Sequence, residues 1–198
     1  MNTTIRRPML LAAIALSAAA FVGCTPLAPS GEVSPGASAP TDAAPAPTSS
    51  PTAAATIEAV ASVETQLTYL IEEEKLAHDV YVTLGDLWGA GIFDSIAASE
   101  TTHQDQVAAL LPAYGVPDPR VDAVGVFTDP ALQSLYDELI AKGSQSLPDA
   151  LQVGITIEQT DIADLTETIA TAPADVVIVL ERLLAGSQNH LAAFERQA

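Results

Sequence analysis

Apolar residues recur at intervals of three and four from Val60 through Val63, Leu67, Leu70, Ala77, Tyr81 and Leu84 to Trp88. That spacing follows one face of a helix and predicts a long helix with a single buried stripe. One carboxylate, Glu74, falls in register with the stripe, whereas Glu72 and Glu73 fall beside it and are expected to be solvated. Gly89 and Gly91 are expected to end the helix. A second helix is predicted from about Asp94, with the stripe Phe93, Ile96, Glu100, His103, Val107, Leu110, Tyr114, running until Pro117 and Pro119. A loop through Gly125 then leads to a short helix from about Pro130 to Lys142, whose Leu132, Leu135 and Leu139 suit packing alone.

Ser146 with Asp149 three residues on, and Pro148 in the first turn, marks the start of a third long helix. Its stripe reads Leu147, Leu151, Gly154, Glu158, Asp161, Leu165, with Ile155, Ile162 and Ile169 competing for the same face. A fourth long helix follows Pro173, with Asp175 near its positive end and the stripe Val176, Leu180, Leu183, Ser187, His190, Phe194. Four long amphipathic helices with a short extra helix between the second and third describe an all-α four-helix bundle. The long connection between the second and third helices permits a crossover.

The segment ahead of the helices differs in kind. Arg6 and Arg7 precede an apolar run from Met9 to Val22, too short to span a bilayer and suited to a signal peptide. Phe21-Val22-Gly23-Cys24 resembles a bacterial lipobox, although Phe21 departs from the usual Leu or Val. The alternative is an ordinary secretory signal. Cys24, the sole cysteine, is expected to carry a lipid, which makes residues 1–23 a lipoprotein signal peptide and the protein a membrane-anchored, extracytoplasmic one. Residues 25 to 56 hold 7 of the 14 prolines among Ala, Ser, Thr and Gly, with Glu32 and Asp42 as their charges. Such a stretch has little to bury, so 24–56 is read as a disordered linker and 57–198 as the folded domain. Extended, the linker would reach about 100 Å. With 7 Lys+Arg against 25 Asp+Glu, the net charge of -18 repels a phosphate backbone and excludes nucleic acid as a partner. Metal chemistry, with no cysteine to spare, must use oxygen and imidazole ligands.

All four long stripes are interrupted by polar groups: Glu74; Glu100 with His103; Glu158, with Asp161 as a further candidate; and His190 with Ser187 one turn earlier. Buried carboxylates cost several kcal/mol each unless paired or bound to a cation. Carboxylates and imidazoles converging in a bundle core form a ligand set for iron or manganese, and the Glu100-x-x-His103 spacing puts both groups on one helix face. The competing reading makes these surface charges on stripes displaced by one position. His78 lies off the stripe and reads as a surface histidine, and Tyr81 as core packing with its hydroxyl directed at a carboxylate.

At these residues the sequence resembles the ferritin-like superfamily, and most closely a bacterial and archaeal family known as a domain of unknown function. The segments EEEKLAHDVYVTL, SETTHQDQVAALL, LQSLYDELIAKGSQSLPDALQVGITIEQTDIADL and LLAGSQNHLAAF carry the resemblance, across nearly all of residues 64 to 196. Rubrerythrin-like proteins have Glu-x-x-Ala-Arg-x-x-Tyr on the first helix, matched from Glu74 to Tyr81 with His78 in place of Arg. The resemblance implies a metal-ligand role for Glu74, for Glu100 and His103, for Glu158 and for His190. Ser187 stands where the family's fourth-helix glutamate would be. Tyr81 and Ser187 are then the groups expected behind the ligands.

The activity expected of such a site is non-haem redox chemistry on oxygen, peroxide or ferrous iron, with one or two ions. One ion would be held by Glu74, Glu100, His103 and bridging Glu158, and a weaker second near His190. The alternative is a non-catalytic binding, adhesion or sensing lipoprotein with a degraded or single-metal site. The membrane is the expected partner through the lipid anchor, and a homodimer is compatible with the sequence.

Overall fold

The computed structural model describes residues 53–198, with side chains from Ser62 onward. The signal peptide, Cys24 and nearly all of the linker lie outside the described residues. Five α-helices make up the fold, α1 (Ala53–Trp88), α2 (Gly91–Ala108), α3 (Pro130–Gly143), α4 (Leu147–Ile169) and α5 (Ala174–Glu195), with no strand among the described residues. Helical backbone therefore reaches four residues into the stretch read as linker.

The helix ends follow local chemistry. Gly89, at φ +63°, closes α1 by donating to the Gly85 carbonyl at 2.8 Å. A side chain would be strained there. Gly91 is the first residue of α2 rather than a second stop, because one extended residue, Ala90, suffices to turn the chain. α2 ends at Ala108, before the expected prolines, and a 3-10 turn at Leu111–Tyr114 carries the last residue of its expected stripe. Asp129 caps α3 through Ala131 N–H at 2.7 Å with Pro130 in the first turn, and Ser146 caps α4 through Asp149 N–H at 3.2 Å.

Each long helix packs against two others, in the order α1–α2–α5–α4 around the bundle, and α3 lies across α1 and α4. One apolar cluster joins the second half of α1 to the starts of α2 and α4 and to Phe194 at the end of α5, with Leu132 and Leu139 of α3. The other joins the first half of α1 to Val107, Leu111, Leu165 and the start of α5. Neighbouring long helices are therefore antiparallel, while α2 and α4 run the same way. The 109–146 connection consequently crosses the length of the bundle, as the sequence allowed. Between the two apolar clusters lies a layer to which every long helix contributes polar side chains.

That connection is tied to α1 by buried charges. Glu72 is 2% exposed and accepts from Thr128 N–H at 2.7 Å and Asp129 N–H at 3.2 Å. Glu72 is thus not solvated. Lys75 pairs with Asp79 one turn on, donates to the Ala123 carbonyl at 3.0 Å, and stands 4.6 Å over the Phe127 ring. Asp79 also accepts from Gly125 N–H at 2.8 Å and contacts His78 Nδ1 at 2.8 Å. Gly125 has φ +74°, and a Cβ there would run into the Tyr136 ring. Leu135 of α3, expected to pack, is 38% exposed, unlike its neighbours Leu132 and Leu139.

Candidate metal centre

The polar layer collects the residues that interrupt the four stripes. Glu74 from α1, Glu100 and His103 from α2, Glu158 and Asp161 from α4, and Ser187 and His190 from α5 are all buried. Their rows on four helices meet because each occupies the same level between the two apolar clusters. Glu100, His103 and His190 each offer a ligand atom, all within 4.8 Å of one another.

Glu100 is the hub. His103 Nδ1 lies 2.9 Å from its Oε2, and His190 Nδ1 lies 2.8 Å from its Oε1. His103 Nδ1 also reaches Glu74 Oε2 at 3.2 Å, and His190 Nδ1 comes within 3.5 Å of Glu158 Oε2. The two imidazoles stack with centroids 5.3 Å apart. Both imidazoles therefore converge on Glu100, with Glu74 beside His103 and Glu158 beside His190.

The supporting contacts are specific. Tyr81, fully buried between Phe93 and Phe194, donates to Glu158 Oε1 at 2.6 Å. Ser99 Oγ lies 2.8 Å from His190 Nε2 and fixes the ring's outer nitrogen. Ser187 donates to the Leu183 carbonyl at 2.9 Å, a bond within its own helix turn. Gly186 lies against the outer edge of His103, where an added Cβ would collide with Nε2. Ser99 and Gly186 carry no sequence signal, because a serine or glycine on a helix has no periodicity that points at a ring from another helix. His78 stays apart from the layer, half-buried on Asp79. Glu73 is half-buried, not solvated; burial and the nearby Asp161 and Asp164 carboxylates raise its pKa well above the ordinary value.

Electrostatically the layer is short of positive charge. Burial raises the Glu74 pKa well above normal, and Asp161 adds to the rise. Burial likewise raises Glu158, and Asp161 to about 7. For Glu100 burial is outweighed by His103 and His190, which bring it down to about 2. Burial would lower the imidazoles, but Glu100 and Glu74 raise His103 to about 10, and Glu100 and Glu158 raise His190 to about 9. Protons thus hold together a cluster whose oxygens outnumber its donors. Glu74 Oε1, Asp161 Oδ1 and His190 Nδ1 are buried with no aligned hydrogen-bond partner. Buried polar atoms without a partner are costly, and a cation held in the layer is one way to offset that cost. The donor set of carboxylate oxygen and imidazole nitrogen fits a divalent first-row metal.

Comparison with known proteins gives a family but no activity. The family described as Uncharacterized protein domain (DUF2202) matches residues 64–198. The chain is 51% identical over 127 residues to the uncharacterized protein MJ0754 of Methanocaldococcus jannaschii, spanning 63% of this chain and 69% of that one. It is also similar to the crystal structure of the hypothetical protein MJ0754 from Methanococcus jannaschii, with a TM-score of 0.66 and 42% identity over 78% of this chain and 85% of that chain.

Proposed function

This chain belongs to the DUF2202 family, and on that premise we propose that its folded part is a ferritin-like metal-binding bundle. Held at the membrane by a lipid on Cys24, outside the cytoplasm, it would use iron or manganese for redox chemistry on oxygen, peroxide or ferrous iron. The observation that carries the metal is the central layer, where Glu100, His103 and His190 converge beside the orphaned Glu74 Oε1 and Asp161 Oδ1. The same-sense run of α2 and α4, with a connection crossing the bundle between them, supports the ferritin-like reading. Glu100, His103 and His190 would hold the ion, with Glu74, Glu158 and Asp161 as further oxygen ligands. A bound iron or manganese supplies one-electron redox chemistry. Tyr81 orients Glu158, Ser99 fixes the His190 ring, and the apolar clusters on either side keep bulk water from the layer.

A second reading has one specific observation behind it. Ser187 bonds its own helix backbone and brings no carboxylate from α5, which favours one ion over two and is compatible with a non-catalytic binding or sensing protein. The anchor is supported by the lipobox-like run before Cys24; no helix among the described residues is long and apolar enough to cross a membrane. The deciding experiment is metal analysis of the purified chain, followed by ferrous and manganous titration of wild type and Glu100→Ala. One tight step that Glu100→Ala removes is expected, and retention of that step would refute the assignment. Turnover of peroxide or ferrous iron by the loaded protein separates the redox reading from simple binding.

A further inference from the structure

A partly open cleft runs from the surface between α1, α3 and α4 to the central layer. Its walls are Leu76, Leu132, Leu139 and Ile157, the more exposed Leu135, Thr160 and Glu73 also line it, and the buried carboxylates Glu74, Glu100, Glu158 and Asp161 form its inner end. Leu135 is the one α3 leucine in this lining that remains well exposed, at 38%, while Leu132 and Leu139 are buried. The free interior is about 40 Å³, and since roughly 10–15 Å³ holds a water molecule on that measure, the cleft takes a molecule of only a few heavy atoms.

We propose that this cleft, with Leu135 at its mouth, admits a small uncharged molecule to the Glu100–His103–His190 cluster and excludes hydrated cations. The proposal rests on the redox reading above and narrows it to a neutral substrate of dioxygen or peroxide size. The physical ground is the contrast between wall and floor. A divalent ion passing between the leucine and isoleucine side chains would lose most of its water before reaching the four buried carboxylates, at a large desolvation cost. A small neutral molecule loses little hydration in entering and meets the reactive groups at the inner end. The lining also explains why α3, although only a segment of the crossing connection, carries a leucine with its side chain partly in water. Glu72, Lys75 and Asp79 hold the segment before α3 to α1, so the mouth has a fixed outer wall.

The test uses xenon as an uncharged probe of the metal-free full chain, so that it does not depend on metal binding. Xenon should produce saturable methyl shifts at Leu76, Leu132, Leu139 and Ile157 in nuclear magnetic resonance spectra. Leu135→Trp and Leu135→Phe should abolish those shifts, while Leu87→Trp, on another exposed leucine, should leave them. In ferrous-loaded protein, Leu135→Trp should slow oxidation by dioxygen and leave manganous-ion affinity and loading rate unchanged. Absent xenon shifts, or shifts retained in both Leu135 variants with native circular dichroism, would overturn the proposal. So would slowed manganous loading in Leu135→Trp, because the cleft would then be the ion's route. A chain that takes up xenon but no metal would refute the proposed function and leave the cleft's selectivity standing.

Discussion

α1 contributes to two buried polar groups with opposite character. Around Glu72, Lys75 and Asp79, carboxylates meet an ammonium or backbone N–H groups, and the Lys75 charge also lies over a ring. Around Glu74, in the same turn of the same helix, carboxylate oxygens face further carboxylates and three polar atoms lack an aligned partner. The first group is complete without any addition and works as a fastening. The second leaves buried polar atoms without partners, and protons on its imidazoles hold its carboxylates together. Burial of charge alone therefore does not separate a fastening from a candidate site in this molecule; satisfaction of the buried atoms does.

The contrast is broken most severely at Asp79. Asp79→Ala strands the buried Lys75 charge and should cost about 3–5 kcal/mol of stability. Urea denaturation checks this, and metal affinity of the folded fraction should be unaltered. Gly186→Ala acts on the other group, pushing His103 off its place. The expected result is a loss of metal affinity between about 10- and 100-fold, as for other changes behind a ligand, with the helical spectrum retained. Isothermal titration with manganous ion measures it.

These two residues also mark the limits of what the sequence tells. The four stripes and the polar groups interrupting them were legible because periodicity is local, and an in-register Glu or His declares itself against Leu and Val on the same face. The existence and order of the helices followed from that pattern and from the caps at Ser146 and Pro173. Glu72, Lys75 and Asp79 were opaque because what buries them is the 123–129 segment, brought over α1 from far along the chain. Off-stripe position indicates exposure only when nothing returns to cover it. Gly186 was opaque for a similar reason, since the contact that requires its missing side chain comes from α2. The convergence of both imidazoles on Glu100 depends on side-chain direction within the layer, which spacing along one helix does not specify.

Acidity sharpens the contrast next. His103 and His190 rise from 6.5 to about 10 and about 9 in the metal-free protein. Their contribution to stability is complete below the unfolded value of 6.5 and is lost as pH rises through those folded values. Asp161, raised from 3.8 to about 7, adds a loss in the same direction as pH rises across that interval. Glu100 has the opposite sign: its contribution is present above 4.5 and disappears as pH falls through about 2. The metal-free domain should therefore melt lower at about pH 9 than at about pH 6, whereas metal affinity should increase over the same interval as protons cease to compete. Calorimetry in buffers of different ionisation enthalpy should detect protons released as the ion binds, from the imidazoles and from the carboxyls whose pKa values are raised. No release would refute the protonated imidazoles.

The smallest expected effect is the most diagnostic. Glu74→Gln replaces a buried carboxyl whose Oε1 has no partner with a neutral amide that other carboxylates cannot repel, so the metal-free protein should gain up to about 1 kcal/mol while metal affinity falls. Asp79→Asn, in the fastening group, should lower stability instead. Thermal melts of both variants with and without manganous ion decide this, and destabilisation by Glu74→Gln in the metal-free state would show that the central layer is complete by itself.

The missing side chain at Gly186 has a consequence for how this fold can diverge. Because its outline is occupied by the His103 ring, two positions on different helices are bound into one inherited unit. An imidazole placed as His103 is placed here leaves no room for a side chain at 186. A lineage that replaces the imidazole by a smaller residue releases position 186 to drift, and an alanine or serine established there would in turn obstruct the ring's return. Loss of the histidine would then act as a ratchet, and the residue at 186 in a descendant would record whether the imidazole had been kept or surrendered.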